Sequence, residues 1–497
     1  MIFKNVLPLA LGALFIVSCE QQESFNPAQD APGSPSAANG LKKKELKARS
    51  KTPSFLALTP QFKDVAVYPL LSSEDQLPES PEFVYGSMAD GMGLMKNDDG
   101  GFTLINNIEA DYSVARIFFD QNFRPIKGEH ILNATATANT AQCSGTLITP
   151  EEHGFGPLYL SGGEWGGSSK GVFLTNPFRD AGSADVPEML TAMGQWSTEN
   201  AVPIGKDAYP GKTVVFIGDD HSDNSVPSGQ LGMYVGEAGD LHGGKLYGLK
   251  VTAPGVNYEM DMQEGTAYEM EFVELNETNI DLLDAEAKAK GVMGFSRLED
   301  IDWRRGNAKN NREVYIAVTG RKNSSLAGKG TTYGRVYKLE LNDADPTKAG
   351  KITCVLDGDL PNGKAKSFHS PDNILVTKHY AYIQEDPNGY FDSADKQHFA
   401  RLYQYNLNNG ELKVVLECDQ ATAASMGYGN LNSDWELTGM IDVSDVLGVE
   451  GTFLLITQNH GWVKADGTPF TDPKANPNVA GSEKEGSQLY LIQGLKR

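Results

Sequence analysis

One pattern of polar and apolar positions repeats along the chain. A short polar or acidic stretch runs into apolar residues, a turn follows, and a strand then ends on acidic or amide residues. SRLEDIDW (residues 296–303) leads in this way to EVYIAVTG (313–320), and STENAVPI (197–204) leads to TVVFIGDD (213–220). HSPDNILV (369–376) leads to AYIQED (381–386), and LTGMIDVS (437–444) leads to FLLITQNH (453–460). A second short strand comes later in each unit: GKLYGL (244–249), GRVYKL (334–339), ARLYQY (400–405) and SQLYLI (487–492). Weaker copies lie upstream. MADGMGLM (88–95) precedes FTLINNIE (102–109) and SVARIFFD (113–120), and QCSGTLIT (142–149) precedes LYLSGGE (158–164). A supersecondary unit repeated in this manner marks a radial or solenoid array, and about six copies predict a six-bladed β-propeller with inserted loops. Turns rich in Gly and Asn/Asp between β-branched and aromatic runs agree with an all-β class. One segment departs from the pattern. IDLLDAEAKAKG (280–291) predicts a short helical insertion, with apolar residues at Ile280, Leu283 and Ala287 and Gly291 as its C-cap.

The repeat changes the meaning of the acidic residues. Corresponding places in a propeller face one central channel, so residues far apart in sequence can converge. Glu109, Glu164, Glu199, Asp219, Asp220, Glu299, Asp300, Asp372, Glu385 and Asp386 are the candidates. Oxygen donors in such number select hard cations, above all Ca²⁺ with roughly 6–8 ligands, and Asn107 and Asn373 add amide oxygens. Each Asp or Asn alone is an ordinary turn residue; the recurrence of ED and DN pairs at matching places favours a metal site. Cys143 sits in a Gly/Ser/Thr-rich turn, QCSGT, and a thiolate beside carboxylates suits a softer metal such as iron or zinc. Arg297, two residues before Glu299, is placed to clamp an oxyanion. Cys354 and Cys418 read as apolar strand residues, either buried thiols or a disulfide pair. His221, His369 and His460 do not recur and read as loop residues.

The N-terminus reads differently. Lys4, an apolar run from Val6 to Val17 and Ser18-Cys19 have the layout of a secretory signal, and the run is too short to span a membrane. Its end resembles a bacterial lipobox, which makes Cys19 the expected lipidation site. The expected domains are the signal peptide and lipidated Cys19 (1–19), a disordered tether (20–60) poor in large apolar residues, and the propeller (61–497). The expected location is the bacterial cell envelope, lipid-anchored. The formal charge is −22. A nucleic-acid partner is therefore not expected, since such binding uses a basic face. No stretch after Cys19 is apolar enough to span a membrane, and there is no nucleophile elbow, P-loop or dinucleotide fingerprint.

The order of the motifs resembles the PhoX-type alkaline phosphatases, secreted bacterial propeller enzymes. NNIE and SVARIFFD resemble the family's Asn-His-Glu strand and the Ser-x-Arg strand after it. QCSGT resembles its Asn-Cys-Ala-Gly turn, GQWSTEN (194–200) its Gly-Arg-Phe-x-His-Glu motif, and FSRLEDI its Phe-x-Arg-Pro-Glu-Asp motif. SPDNI and YIQED match its Pro-Asp-Asn and Glu-Asp strand ends. The resemblance implies a six-bladed propeller with Ca²⁺ and Fe³⁺ in the channel, hydrolysing phosphate monoesters; the expected partner is a phosphorylated small-molecule substrate, and the expected state is a monomer. The resemblance also implies that Cys143 and Glu199 bind iron, that Asp219, Asp220, Glu299, Asp372, Asn373, Glu385 and Asp386 hold metals, and that Arg297 contacts phosphate. The chain departs from the family at Thr198 (His in the motif), Gln195 (Arg) and Leu298 (Pro), and in carrying a lipoprotein signal rather than a twin-arginine one. Two other readings stand beside it: a non-catalytic calcium-binding propeller lipoprotein that binds a glycan or protein, and another metal-dependent propeller hydrolase such as a lactonase.

Overall fold

A computed structural model describes residues 46–221, 223–387 and 394–497. The expected signal, Cys19 and the first part of the tether lie outside the described residues. Among the described residues, no helix is long and apolar enough to cross a membrane.

The fold is all-β and propeller-like, built of antiparallel meanders. Its strands are apolar on both faces because each sheet is packed from both sides. In the strand Glu313–Val318, Val314, Ile316 and Val318 join one core with Phe216 and Leu231. Tyr315 and Ala317, pointing the other way, join a second core with Ile374, Val376 and Ile383. Alternating side chains thus enter two different cores, and an unbroken apolar run is the result.

Six first strands line the interior: Ala89–Lys96, Thr140–Ile148, Thr198–Pro203, Leu298–Trp303, Pro371–Val376 and Glu436–Asp442. Each packs on the next, and the last packs on the first. The ring is fastened by both ends of the chain. Ala66–Ser72 is the outer strand of the last sheet, paired to Glu485–Gln493 with Tyr68 opposite Leu491.

Two expectations need revision. The units are not all separate sheets. Ala267–Leu275 pairs with both Lys245–Val251 and Gly350–Asp357, fusing two meanders into one ten-stranded sheet. The five sheets therefore do not map one-to-one onto the six expected units. Residues 46–60, the described part of the expected tether, are also more ordered than their composition suggests. Phe55 is 1% exposed and packs on Tyr428 and Trp435, with ring centroids 5.2 and 6.0 Å away. Leu56–Leu58 pairs with Leu412–Cys418. Few apolar residues suffice there because the rest of the fold supplies their partners.

The helical insertion spans Ile280–Lys290, with Asn279 capping Asp281 N–H and Gly291 in the left-handed region at φ 77°. Leu283 and Ala287 bury against the core that holds Trp196 and Leu246. Cys354 and Cys418 are free, buried thiols in separate cores.

Candidate metal centre in the central channel

Every first strand carries a β-bulge near its start, where it spends one residue more than its partner. The register shifts between Ala89 and Met92, Gln142 and Gly145, Thr198 and Ala201, Leu298 and Ile301, Pro371 and Ile374, and Thr438 and Ile441. The residues inside these shifts are Asp90-Gly91, Cys143-Ser144, Glu199-Asn200, Glu299-Asp300, Asp372-Asn373 and Gly439-Met440. A bulge re-aims side chains that strict alternation would send to opposite faces. Met88, Arg297 and Ser370, each just before a first strand, have φ of 54°, 63° and 52°. This left-handed entry recurs in three of the units.

The two positions of each bulge do different work. Second positions stitch the ring. Asn200 donates to Asp300, whose other carboxylate oxygen accepts from Ile374 N–H at 3.0 Å, and Asn373 Nδ2 donates to Ser144 Oγ at 2.7 Å. Five of the six first positions, Asp90, Cys143, Glu199, Glu299 and Asp372, are acids or a thiol, and acids from outside the bulges join them. Glu109, Cys143 and Glu164 bring one ligand atom each to within 4.8 Å of one another, and so do Asp372, Asp386 and Glu436. Cys143 Sγ donates to Glu164 Oε2 at 3.1 Å. Glu199 accepts from Ser144 N–H at 3.2 Å. Glu109 is locked on both oxygens, by Trp165 Nε1 at 2.6 Å and Gln458 Nε2 at 2.9 Å.

Burial and mutual repulsion act together here. The carboxyls of Glu164, Glu199, Asp372 and Glu436 are pushed well above the usual range, first by burial and then by one another's charge or that of adjacent acids. Burial likewise raises the Cys143 thiol, with Glu109 and Glu199 adding to it. A bound cation would reverse each of these shifts. The side-chain oxygens of Asn107 and Asn373 are buried without a hydrogen-bond partner. Buried oxygen donors, unsatisfied amide oxygens and one thiol together fit both a hard cation and a softer one.

Arg297 enters the same region. Its Nε donates to Asp220 Oδ1 at 3.0 Å, its Nη2 to Asp220 Oδ2 at 3.0 Å, and Nη2 lies 2.9 Å from Glu299 Oε1. Burial opposes its charge, but Asp220 and Glu299 outweigh that and hold the guanidinium firmly protonated.

Not every expected ligand faces these groups. Asp219 accepts the amides of Ser197 at 3.0 Å and Gln230 at 3.3 Å, a backbone-capping role. Glu385 accepts the amides of His369 and Arg401, both at 2.9 Å, and forms a separate buried group with His369 and His398. Its carboxyl is raised to about 7 by burial. His369 lies in the loop before Pro371–Val376, as expected, and is fully buried there. Asp90, Glu436, Trp165 and Gln458 were missed. Asp90 holds the same bulge position in MADGMG as Glu299 does in RLEDI, which was a legible signal. Glu436 lies just before LTGM, one residue outside the repeat unit that begins at Leu437.

An all-β, propeller-like protein with a buried, acidic, thiol-containing channel is the class that fold and site define. The family model of alkaline phosphatase PhoX matches residues 176–449, more than half of the chain. The chain belongs to the PhoX family. No curated protein matches it. Among solved structures it is similar to Pseudomonas fluorescens PhoX in complex with vanadate, a transition state analogue. The TM-score is 0.61 at 15% identity, covering 90% of this chain and 97% of that one. The PQQ-bound aldose sugar dehydrogenase of Streptomyces coelicolor matches at a TM-score of 0.34 and 11% identity, covering 86% and 98% of the two chains. The Pan2 WD40 domain of Neurospora crassa matches at 0.34 and 9%, covering 85% and 94%.

Proposed function

We propose that the protein is a metal-dependent phosphomonoesterase held at the bacterial cell envelope by a lipid on Cys19 and acting as a monomer. Counting each meander of the fused sheet as a blade gives a six-bladed propeller. The observation that carries the reading is the ring of bulges, which turns acids from distant units and Cys143 toward one channel beside Arg297.

Cys143, Glu109, Glu164 and Glu199 would hold the softer ion, iron in this reading. Asp372, Asp386 and Glu436, with the Asn373 oxygen, would hold calcium. Bound metals neutralise a phosphoryl group and activate the nucleophile. The chain's own residues set the geometry. Asp220 and Glu299 fix the Arg297 guanidinium from two sides, leaving Nη1 for a phosphoryl oxygen, where a preorganised donor stabilises developing charge. Trp165 and Gln458 orient Glu109 as outer partners of a ligand. Buried walls keep water from weakening these interactions.

The test is elemental analysis of the purified protein beside hydrolysis of p-nitrophenyl phosphate. Iron and calcium with turnover support the proposal. Calcium alone with no turnover overturns it in favour of a binding propeller.

A further inference from the structure

Arg297 is already engaged before any substrate arrives, because two carboxylates share its single charge. A second cation stands nearby in a different state. Lys170 Nζ donates to Ser197 Oγ at 2.8 Å, and among the described residues it has no carboxylate within ion-pair distance. An ammonium has three N–H donors, and this one uses a single donor on a neutral hydroxyl.

The topology puts the half-buried Lys170 at the end of its sheet that carries Glu164. Leu158–Gly166 carries Glu164 near its end, and Gly171–Thr175 pairs back on it with Gly163 opposite Gly171. The turn that holds Lys170 therefore crosses the same end of the sheet as Glu164. Ser197, its partner, is tied to the site by its backbone: its carbonyl accepts from Asp220 N–H at 2.9 Å. Lys170 is thus linked through one residue to the aspartate that grips Arg297.

A Cβ on Gly171 would lie 3.3 Å from the Gly194 carbonyl oxygen and 3.7 Å from Gln195 Cα, so the turn packs directly on the 194–195 backbone. Gln195 itself is turned away: its N–H donates to Thr278 O at 2.8 Å and its side chain reaches Asn279 at 3.5 Å. Lys170 supplies positive charge where Gln195 supplies none.

We propose that Lys170 is a substrate-binding residue that captures the phosphate dianion of the incoming monoester at the channel mouth. This rests on the phosphomonoesterase reading. In a molecule of net charge −22, a dianion meets a repulsive field, and one unpaired cation at the mouth steers it in.

The experiment compares wild type, Lys170→Ala and Lys170→Arg. KM and kcat for p-nitrophenyl phosphate are measured across ionic strength, metal content is checked, and binding of inorganic phosphate is followed by thermal shift. Lys170→Ala should raise KM about ten-fold with kcat little changed, as expected when a charge-assisted contact made equally in ground and transition states is lost. It should also flatten the salt dependence and weaken phosphate binding, and Lys170→Arg should restore most of each. An unchanged KM and unchanged phosphate binding in Lys170→Ala overturn the proposal, as does a fall in kcat and metal content with KM intact. If wild type turns over no monoester yet binds phosphate through Lys170, the phosphatase reading fails and the anion site stands. If it does neither, both fail.

Discussion

Arg297 has its backbone in the left-handed region, at φ 63°, where a side chain other than glycine is strained. The strain is held at the one residue whose guanidinium reaches both Asp220 and Glu299, and such outliers gather at functional sites. Arg297→Ala and Arg297→Gly should each lower phosphomonoester turnover by about 10²–10³, the usual cost of one preorganised donor, and keep the metals. Metal loss in step with turnover would make the guanidinium structural instead. Glycine should be the better tolerated of the two, since it relieves the backbone cost; equal melting temperatures would show that little strain is stored there. The cysteines make a second contrast. Cys143 touches Glu164, whereas Cys354 is packed among apolar residues and its Sγ reaches only the Leu356 carbonyl, 3.3 Å away. Cys143→Ser should lose the softer metal together with activity, and Cys354→Ser should keep both. The reverse result would show that the cysteine roles are assigned wrongly.

At the scale of elements, the bulges and the closure of the ring decide the geometry. A bulge cannot be read from a spacing of two, because it breaks that spacing. It was visible only as the recurrence of two polar residues in a row, such as Glu299-Asp300 and Asp372-Asn373, inside apolar strands. The same limit explains the misplaced carboxylates. Asp219 and Asp220 are adjacent in sequence, but one caps backbone amides and the other holds Arg297. Composition also misjudged residues 46–60, because apolar count measures what a segment can bury by itself. Phe55 buries against Tyr428 and Trp435, far away in sequence. Phe55→Ala should cost about 3–5 kcal/mol in denaturant unfolding, as for other large core truncations, whereas a flexible tether would give no change.

The whole molecule carries its acid in two ways: spread over the surface, and concentrated in the channel. The concentrated part sets the pH behaviour of the metal-free protein. Glu164, Glu199, Asp372 and Glu436 have carboxyls raised above their ordinary value of 4.5 or 3.8 by burial and by neighbouring charge. Asp300 is raised to about 7 by burial. Above the ordinary values the folded state then binds more protons than the unfolded chain, so stability falls with rising pH. The metal-free protein should melt higher near pH 5 than near pH 8. Added calcium should recover most of the loss at pH 8, and a ligand at a hundred times its dissociation constant contributes about 2.7 kcal/mol. A melting temperature that is flat with pH and unmoved by EDTA would count against both the raised carboxyls and the calcium site.

The sequence by itself determined the all-β class, the helix that begins at Ile280 with its Gly291 cap, and the family resemblance, through motifs in a shared order. The first two depend on local propensity and periodicity, which neighbouring residues encode; the third rests on a resemblance of residue motifs. The fusion of two meanders by Ala267–Leu275, the fastening of the ring by Ala66–Ser72, the recruitment of Glu436 and Asp90, and the diversion of Asp219 and Glu385 were decided only in the tertiary structure. The reason is physical. Whether a carboxylate meets a backbone amide, an arginine or another carboxylate depends on which strand lies across from it, and in a closed ring that strand can be hundreds of residues away in the chain.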